Sequence, residues 1–295
     1  PPTLRPSRVL GGSPLGQGGQ ILAFAVAPRA ELLAVLGNHH VISVVDVAAG
    51  RIVASLPCQS ALQFVAFDGD DHLLAWDHRG LVRLTLTGAS RVVIDRPWGG
   101  PDAFRAQDVL LGGDTLVLLE SRGYPPQATT RAQVYRGGAP VATIDYSLAD
   151  HAAALGLADI GRSALVVNAA GLSPDGRRLV TVASVVGTFV GEHGEYVEST
   201  HGVVLIHDGD GRLLHVDAFV RGSVGLGNDL SYFPHKVAFS PDGRRFVTGC
   251  WPVRVFDSET GAVASADMQT DGQPVEPREV TFLANGELAV AGERC

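Results

Sequence analysis

The feature that most constrains this chain is a repeat. Six segments share one layout: an apolar strand, a tight turn and a second apolar strand. They are ILAFAVAPRAELLAVLG (21–37), LQFVAFDGDDHLLAWD (62–77), QDVLLGGDTLVLLE (107–120), GLSPDGRRLVTVAS (171–184), HKVAFSPDGRRFVTG (235–249) and REVTFLANGELAVAG (278–292). Asp-Gly, Gly-Asp and Asn-Gly accept the positive φ that short hairpin turns need. Five of the six are followed by a second pair of strands: VISVVDVAAGRIVASL (41–56), LVRLTLTGASRVVI (81–94), RAQVYRGGAPVATID (131–145), VVLIHDGDGRLLHV (203–216) and VRVFDSETGAVAS (253–265). Each complete unit is therefore a four-stranded antiparallel meander, with strands a, b, c and d in chain order. One such unit cannot bury both faces alone, and neighbouring units must cover them.

Repeats returning about every 40 residues are what a propeller blade requires. The expected fold is all-β: a single β-propeller domain over 1–295, with blades near 21–57, 58–96, 106–146, 165–220, 235–268 and 278–295. The sixth unit stops after two strands, and the N-terminal stretch 3–12 is expected to complete it, protecting otherwise open sheet edges. Six blades are predicted; the alternative is seven. Segment 146–170, rich in Ala and Leu, is expected to hold a short helix or an irregular linker.

HKVAFSPDGRRFVTG followed by VRVFDSETG resembles a WD repeat, with Phe256-Asp257 where that family has Trp-Asp. GLSPDGRRLVT with LIHDGDG resembles it too, and Val45-Asp46 falls at the same place in the first unit. The chain is thus similar to a divergent WD-repeat propeller. It departs from the pattern in having no Gly-His before a first strand and no Trp-Asp closing a third. The resemblance implies a protein-interaction module.

The lengths of the connections bear on function. The a–b and c–d turns are minimal. The b–c and d–a connections are long: 95–106, 121–131, 146–170, 185–201 and 221–234. In a four-stranded blade these project from the same face. Long loops in a compact domain are functional or disordered, and their alignment on one side favours function. They carry Trp98, Phe104, Arg122, Tyr124, Tyr196, Tyr232 and Phe233, and Trp251 and Arg254 flank a short b–c turn on that face. Aromatics and Arg are enriched at interface hot spots. These nine residues are the candidate partner-binding set.

The stretch EHGEYVESTH holds His193, Glu195 and His201 as possible metal ligands, but its spacing is not that of a helical H-E-x-x-H site. A solvated acidic loop explains it, so no metal or cofactor is expected. There is no G-x-S-x-G elbow and no phosphate-binding G-x-x-x-x-G-K-[ST]. Net charge is −8 and Lys236 is the single lysine, with no basic stripe, so nucleic acid is disfavoured. No apolar run is long enough to span a bilayer. Three widely spaced cysteines, Cys58, Cys250 and Cys295, suggest neither zinc nor a disulfide framework, and a reducing, cytoplasmic setting is expected.

The expected function is a non-catalytic scaffold or sensor module. Its partner would be another protein or peptide, or another domain of a larger parent protein of a bacterial signalling or sensor type. The alternative is a propeller enzyme, a lactonase-like hydrolase or a lyase, with a metal or cofactor at the axial channel. Asp108, Asn168, His235 and Glu279 are the polar exceptions on otherwise apolar first strands and would serve that reading.

Overall fold

The structure is a computed structural model. It describes residues 21–294 apart from 28–30, 38–40, 58–64, 70, 78–79, 96–103, 124–127, 154, 156–162, 192–193, 221–235, 250–252, 267–268, 271–272 and 283–285. The expected closing strand at 3–12 lies outside the described residues. The chain divides into two compact units, Pro1–Gln107 and Asp108–Cys295.

The first unit holds two four-stranded meanders. One is β1 (Ile21–Val26), β2 (Leu32–Gly37), β3 (Val41–Asp46) and β4 (Arg51–Pro57). The other is β5 (Val65–Phe67), β6 (His72–Asp77), β7 (Gly80–Thr85) and β8 (Ser90–Asp95). Burial follows strand position rather than a single face. In β2 and β3 four consecutive residues are buried, whereas β4 and β8 are largely exposed. A sheet covered on one face would alternate; a continuous buried run means that both faces are packed. Ala34, Leu36, Ile42 and Val44 meet Val65, Phe67, Leu73, Ala75 and Val82 in one core between the two sheets.

The second unit repeats the arrangement. Its first sheet is β9 (Arg105–Gly112), β10 (Thr115–Arg122), β11 (Thr129–Arg136) and β12 (Ala139–Tyr146). A one-turn helix, α1 (Leu148–His151), follows in the segment expected to hold a short helix or an irregular linker. The next sheet is β13 (Ser163–Leu172), β14 (Arg178–Gly191), β15 (Gly194–Asp208) and β16 (Leu213–Val220). Then come β17 (Val237–Phe239), β18 (Arg245–Thr248), β19 (Arg254–Asp257) and β20 (Val263–Ala266). A three-stranded sheet ends the chain: β21 (Gln269–Thr270), β22 (Gln273–Phe282) and β23 (Leu288–Arg294).

Alternation along β14 and β15 shows how one sheet serves two cores. Leu179, Ala183, Val185, Val203 and Leu205 pack toward the β9–β12 sheet, with Val117, Val134 and Ile144. The intervening Val180, Val182, Val204 and Ile206 pack toward Phe246 and Phe256 of the β17–β20 sheet. Phe246 and Phe256 are direct cross-strand partners, stacked with centroids 4.8 Å apart. Successive strand residues point to opposite faces, so one period-two run fills both interfaces.

Segment 185–201 departs from expectation. It is not a loop. β14 and β15 pair from Arg178↔Asp208 out to Gly191↔Gly194, with one shift of register between Val185 and Val186. The physical reason lies in its residues: Val, Thr, Phe and Tyr favour extended backbone. The first strand of the last unit is also longer than expected, since β22 begins at Gln273 and pairs there with the short β21.

Candidate functional site: the two ends of the sheets

Each sheet has a turn end, where its a–b and c–d hairpins lie, and a connection end, where b–c and d–a segments lie. The turn end is chemically closed. In GLSPDGRR the Ser173 hydroxyl donates to Asp175 Oδ1 at 2.7 Å and accepts from the Arg178 amide at 2.9 Å, while the Arg177 amide donates to Asp175. Ser240, Asp242, Arg244 and Arg245 repeat these bonds in the next sheet. The Asp of each WD-like dipeptide caps its own c–d turn. Asp208 Oδ1 accepts from the Asp210 and Arg212 amides, Asp257 from Glu259 and Thr260, and Asp46 from Ala49. Hydrogen bonding to the ionised form holds the Asp175, Asp242 and Asp257 carboxyls below their usual range; for Asp208 it outweighs an opposing burial effect.

A cleft of about 470 Å³ lies at this end between the β9–β12 and β13–β16 sheets. Its charged lining is already engaged. Arg136 bonds Asp210 and the Gly209 carbonyl, and Asp175 and Asp208 serve their turns. Asp175 and Asp208 thus hold hairpins, and Arg136 ties the two sheets.

The connection end is built differently. Glu120, near the end of β10, is fully buried and faces Arg131 of β11 directly across the pair, with Nε to Oε2 at 2.9 Å. This ion pair clamps the mouth of the b–c connection that carries Tyr124. Arg122 follows two residues later and is exposed. Arg254, at the start of β19, lies 3.8 Å from Asp217 of β16 and so ties adjacent sheets. Phe104 is half-buried immediately before β9.

Among the other candidates, Tyr196 stands on β15, opposite Phe189 of β14. Trp98, Tyr124, Tyr232, Phe233 and Trp251 lie outside the described residues. So does His193. Glu195 and His201 sit on β15, opposite Val190 and Val185. Six residues of extended chain separate their backbones by roughly 20 Å.

The first strands carry the polar residues noted in the sequence. Asp108 on β9 accepts from its own Val109 amide at 2.8 Å; burial pushes its carboxyl up, and the Lys236 charge partly offsets this. Asn168 occupies a bulge in β13 and donates to Ser184 Oγ at 2.5 Å. Glu279 lies on β22 opposite Ala291, and His235 lies outside the described residues.

Sequence reasoning missed one cluster. Tyr146, His151, Thr181 and His207 are all buried where the β9–β12 and β13–β16 sheets meet. His151 Nδ1 donates to the Ser147 carbonyl at 2.7 Å. The Tyr146 and His207 rings meet edge to face. Tyr146 Oη and Thr181 Oγ1 are neighbours, yet neither they nor His207 Nδ1 meets a hydrogen-bond partner of full geometry among the described residues. Burial holds the tyrosine hydroxyl above its ordinary range and pulls His207 down to about 4. The signal was present: His207 stands where WD repeats place Trp.

No family model matches this chain, and no curated protein matches it in sequence. Solved structures do. The chain is similar to hydrazine synthase of Kuenenia stuttgartiensis at 13% identity, with TM-score 0.58 over 93% of this chain and 84% of that one. It is similar to the β-propeller domain of Cps50 (Swd1) of Myceliophteria thermophila at 11% identity, with TM-score 0.56 over 92% and 80%. With its doubly packed four-stranded meanders, the chain has a β-propeller fold. At these identities the likeness extends to the fold alone. Among the described residues no helix is long and apolar enough to cross a membrane.

Proposed function

We propose that this chain is a non-catalytic interaction module, a divergent propeller of the WD-repeat type. It holds another protein or peptide, or another domain of a larger parent protein, on its b–c/d–a face. Under this reading residues 1–295 are one domain of six blades. The observation that carries it is the asymmetry of the sheet ends in the second unit. The turn end spends its polar groups on its own hairpins. The connection end presents the exposed Arg122, the Arg254–Asp217 bridge and the β14–β15 extension. The capping roles of Asp46, Asp208 and Asp257 support the WD-repeat assignment, since these fill the family's Asp position.

The test is affinity capture by the full chain from its source cells. A combined Trp98, Tyr124, Tyr232 and Trp251 to alanine variant of unchanged melting temperature should lose its specific associate. Arg177→Ala at the turn end should keep it. If the quadruple variant retains every association, the reading is wrong.

A second reading, an enzyme with a ligand at the axial channel, is favoured by one observation: Asp108, with its carboxyl raised by burial beside Lys236, on a first strand. Elemental analysis of purified protein separates the two, because a stoichiometric metal would favour catalysis.

A further inference from the structure

Three polar atoms lie sealed between the β9–β12 and β13–β16 sheets. They are Tyr146 Oη on β12, Thr181 Oγ1 on β14 and His207 Nδ1 on β15, and among the described residues none meets a hydrogen-bond partner of full geometry. Their residues are 2%, 0% and 2% exposed, so bulk water does not reach them. Backbone pairing brings two of them to one face. Leu179 stands opposite His207 and Thr181 opposite Leu205, which makes Thr181 and His207 diagonal neighbours on the same side of the sheet. Leu179 and Leu205 pack in one apolar core with Tyr146. Tyr146 completes the group from the other sheet: its Oη neighbours Thr181 Oγ1, and its ring meets His207 edge to face.

A buried polar group left unpaired is costly, and nearly all such groups in native proteins meet a partner. A direct bond between the two hydroxyls does not suffice. It uses one hydroxyl hydrogen and leaves the other hydrogen, and His207 Nδ1, unmatched. The surroundings also set the charge of what can fill this place. Burial keeps the His207 imidazole neutral down to about 4. The adjoining Asp208 spends its oxygens on the Asp210 and Arg212 amides and the Arg212 side chain. His151 Nδ1 is taken by the Ser147 carbonyl. Among the described residues no three His, Cys, Asp or Glu gather to hold a metal ion. The site therefore suits a small neutral ligand that both donates and accepts.

We propose that these atoms hold one internal water molecule, which bridges the Tyr146–Thr181 hydroxyl pair to His207 Nδ1 and so ties the two sheets. Water donates twice and accepts twice, and buried waters in proteins typically make about three such bonds. It donates to Nδ1 where that nitrogen carries the lone pair and accepts where it carries the hydrogen, so either imidazole tautomer is served. The docking reading neither needs this water nor falls with it.

The probe is water itself. Magnetic relaxation dispersion of water oxygen counts the molecules that a protein holds for longer than it tumbles. The full chain should show one more of these than its Thr181→Val/His207→Phe double variant, in which a hydroxyl and an imidazole nitrogen are removed. A crystal structure of the unaltered chain should show an isolated peak about 2.7–3.2 Å from His207 Nδ1 and from Tyr146 Oη or Thr181 Oγ1. An equal count in the two proteins, with the variant folded by circular dichroism, would overturn the proposal. So would a crystal structure in which no peak lies there, a side chain fills the place, or the peak carries the anomalous signal of a metal. The crystallographic result decides the matter by itself if the double variant does not fold.

Discussion

Tyr146 of β12 and His207 of β15 meet edge to face between two neighbouring sheets, ring centroids 5.9 Å apart and planes at 86°. Burial, reinforced by nearby His151, disfavours the charged imidazole and lowers its pKa to about 4. In the unfolded chain the same ring titrates near 6.5. Above that value both states are neutral and nothing is lost. Between about 6.5 and 4 the unfolded state gains a proton that the folded state refuses, so stability falls as pH falls. The linked loss approaches about 3 kcal/mol and levels off below 4. Urea unfolding between pH 7 and 4 should show this slope, and His207→Phe should remove most of it.

The turns of adjacent sheets interlock at glycines. Gly176 has φ +73°, and a Cβ there would run into the Gly112 carbonyl and lie 2.6 Å from Thr115 Oγ1. Neither neighbour is the free end of a flexible chain. Gly176→Ala should therefore cost about 2 kcal/mol or more. Gly88, also at positive φ, meets nothing within 4 Å. Gly88→Ala should show the smaller cost of backbone conformation alone, which thermal denaturation of the two variants would separate.

Glu120 is fully buried, and its ion-pair partner Arg131 is partly buried. Breaking the pair by Glu120→Ala removes the carboxylate that Arg131 faces and should destabilise by about 2–3 kcal/mol. Replacing both, Glu120→Leu with Arg131→Met, should recover most of that loss. A double-mutant cycle by chemical denaturation checks this.

Phe246 is fully buried and stacks on Phe256, between Val180, Val182 and Ile206. Phe246→Ala should cost about 3–5 kcal/mol through lost burial and the cavity left behind. Phe246→Leu should cost well under half of that. Calorimetric melting of both variants is the measurement.

Much of the fold was legible because its causes are local. Asp-Gly and Gly-Asp turns, and period-two apolar runs between them, specify hairpins wherever they occur, and the five complete meanders lie where those signals put them. The Ser-Pro-Asp-Gly turns even fixed their own hydrogen bonds, since Ser173 and Asp175 reach only neighbours in sequence. What only tertiary structure decided is where unlike residues meet. Segment 185–201 belongs to a hairpin of consecutive strands, yet its Glu and His residues read equally well as solvent-facing loop. The closeness of Tyr146 to His207, 61 positions apart, follows from sheets packing face to face, a relation that no local pattern encodes.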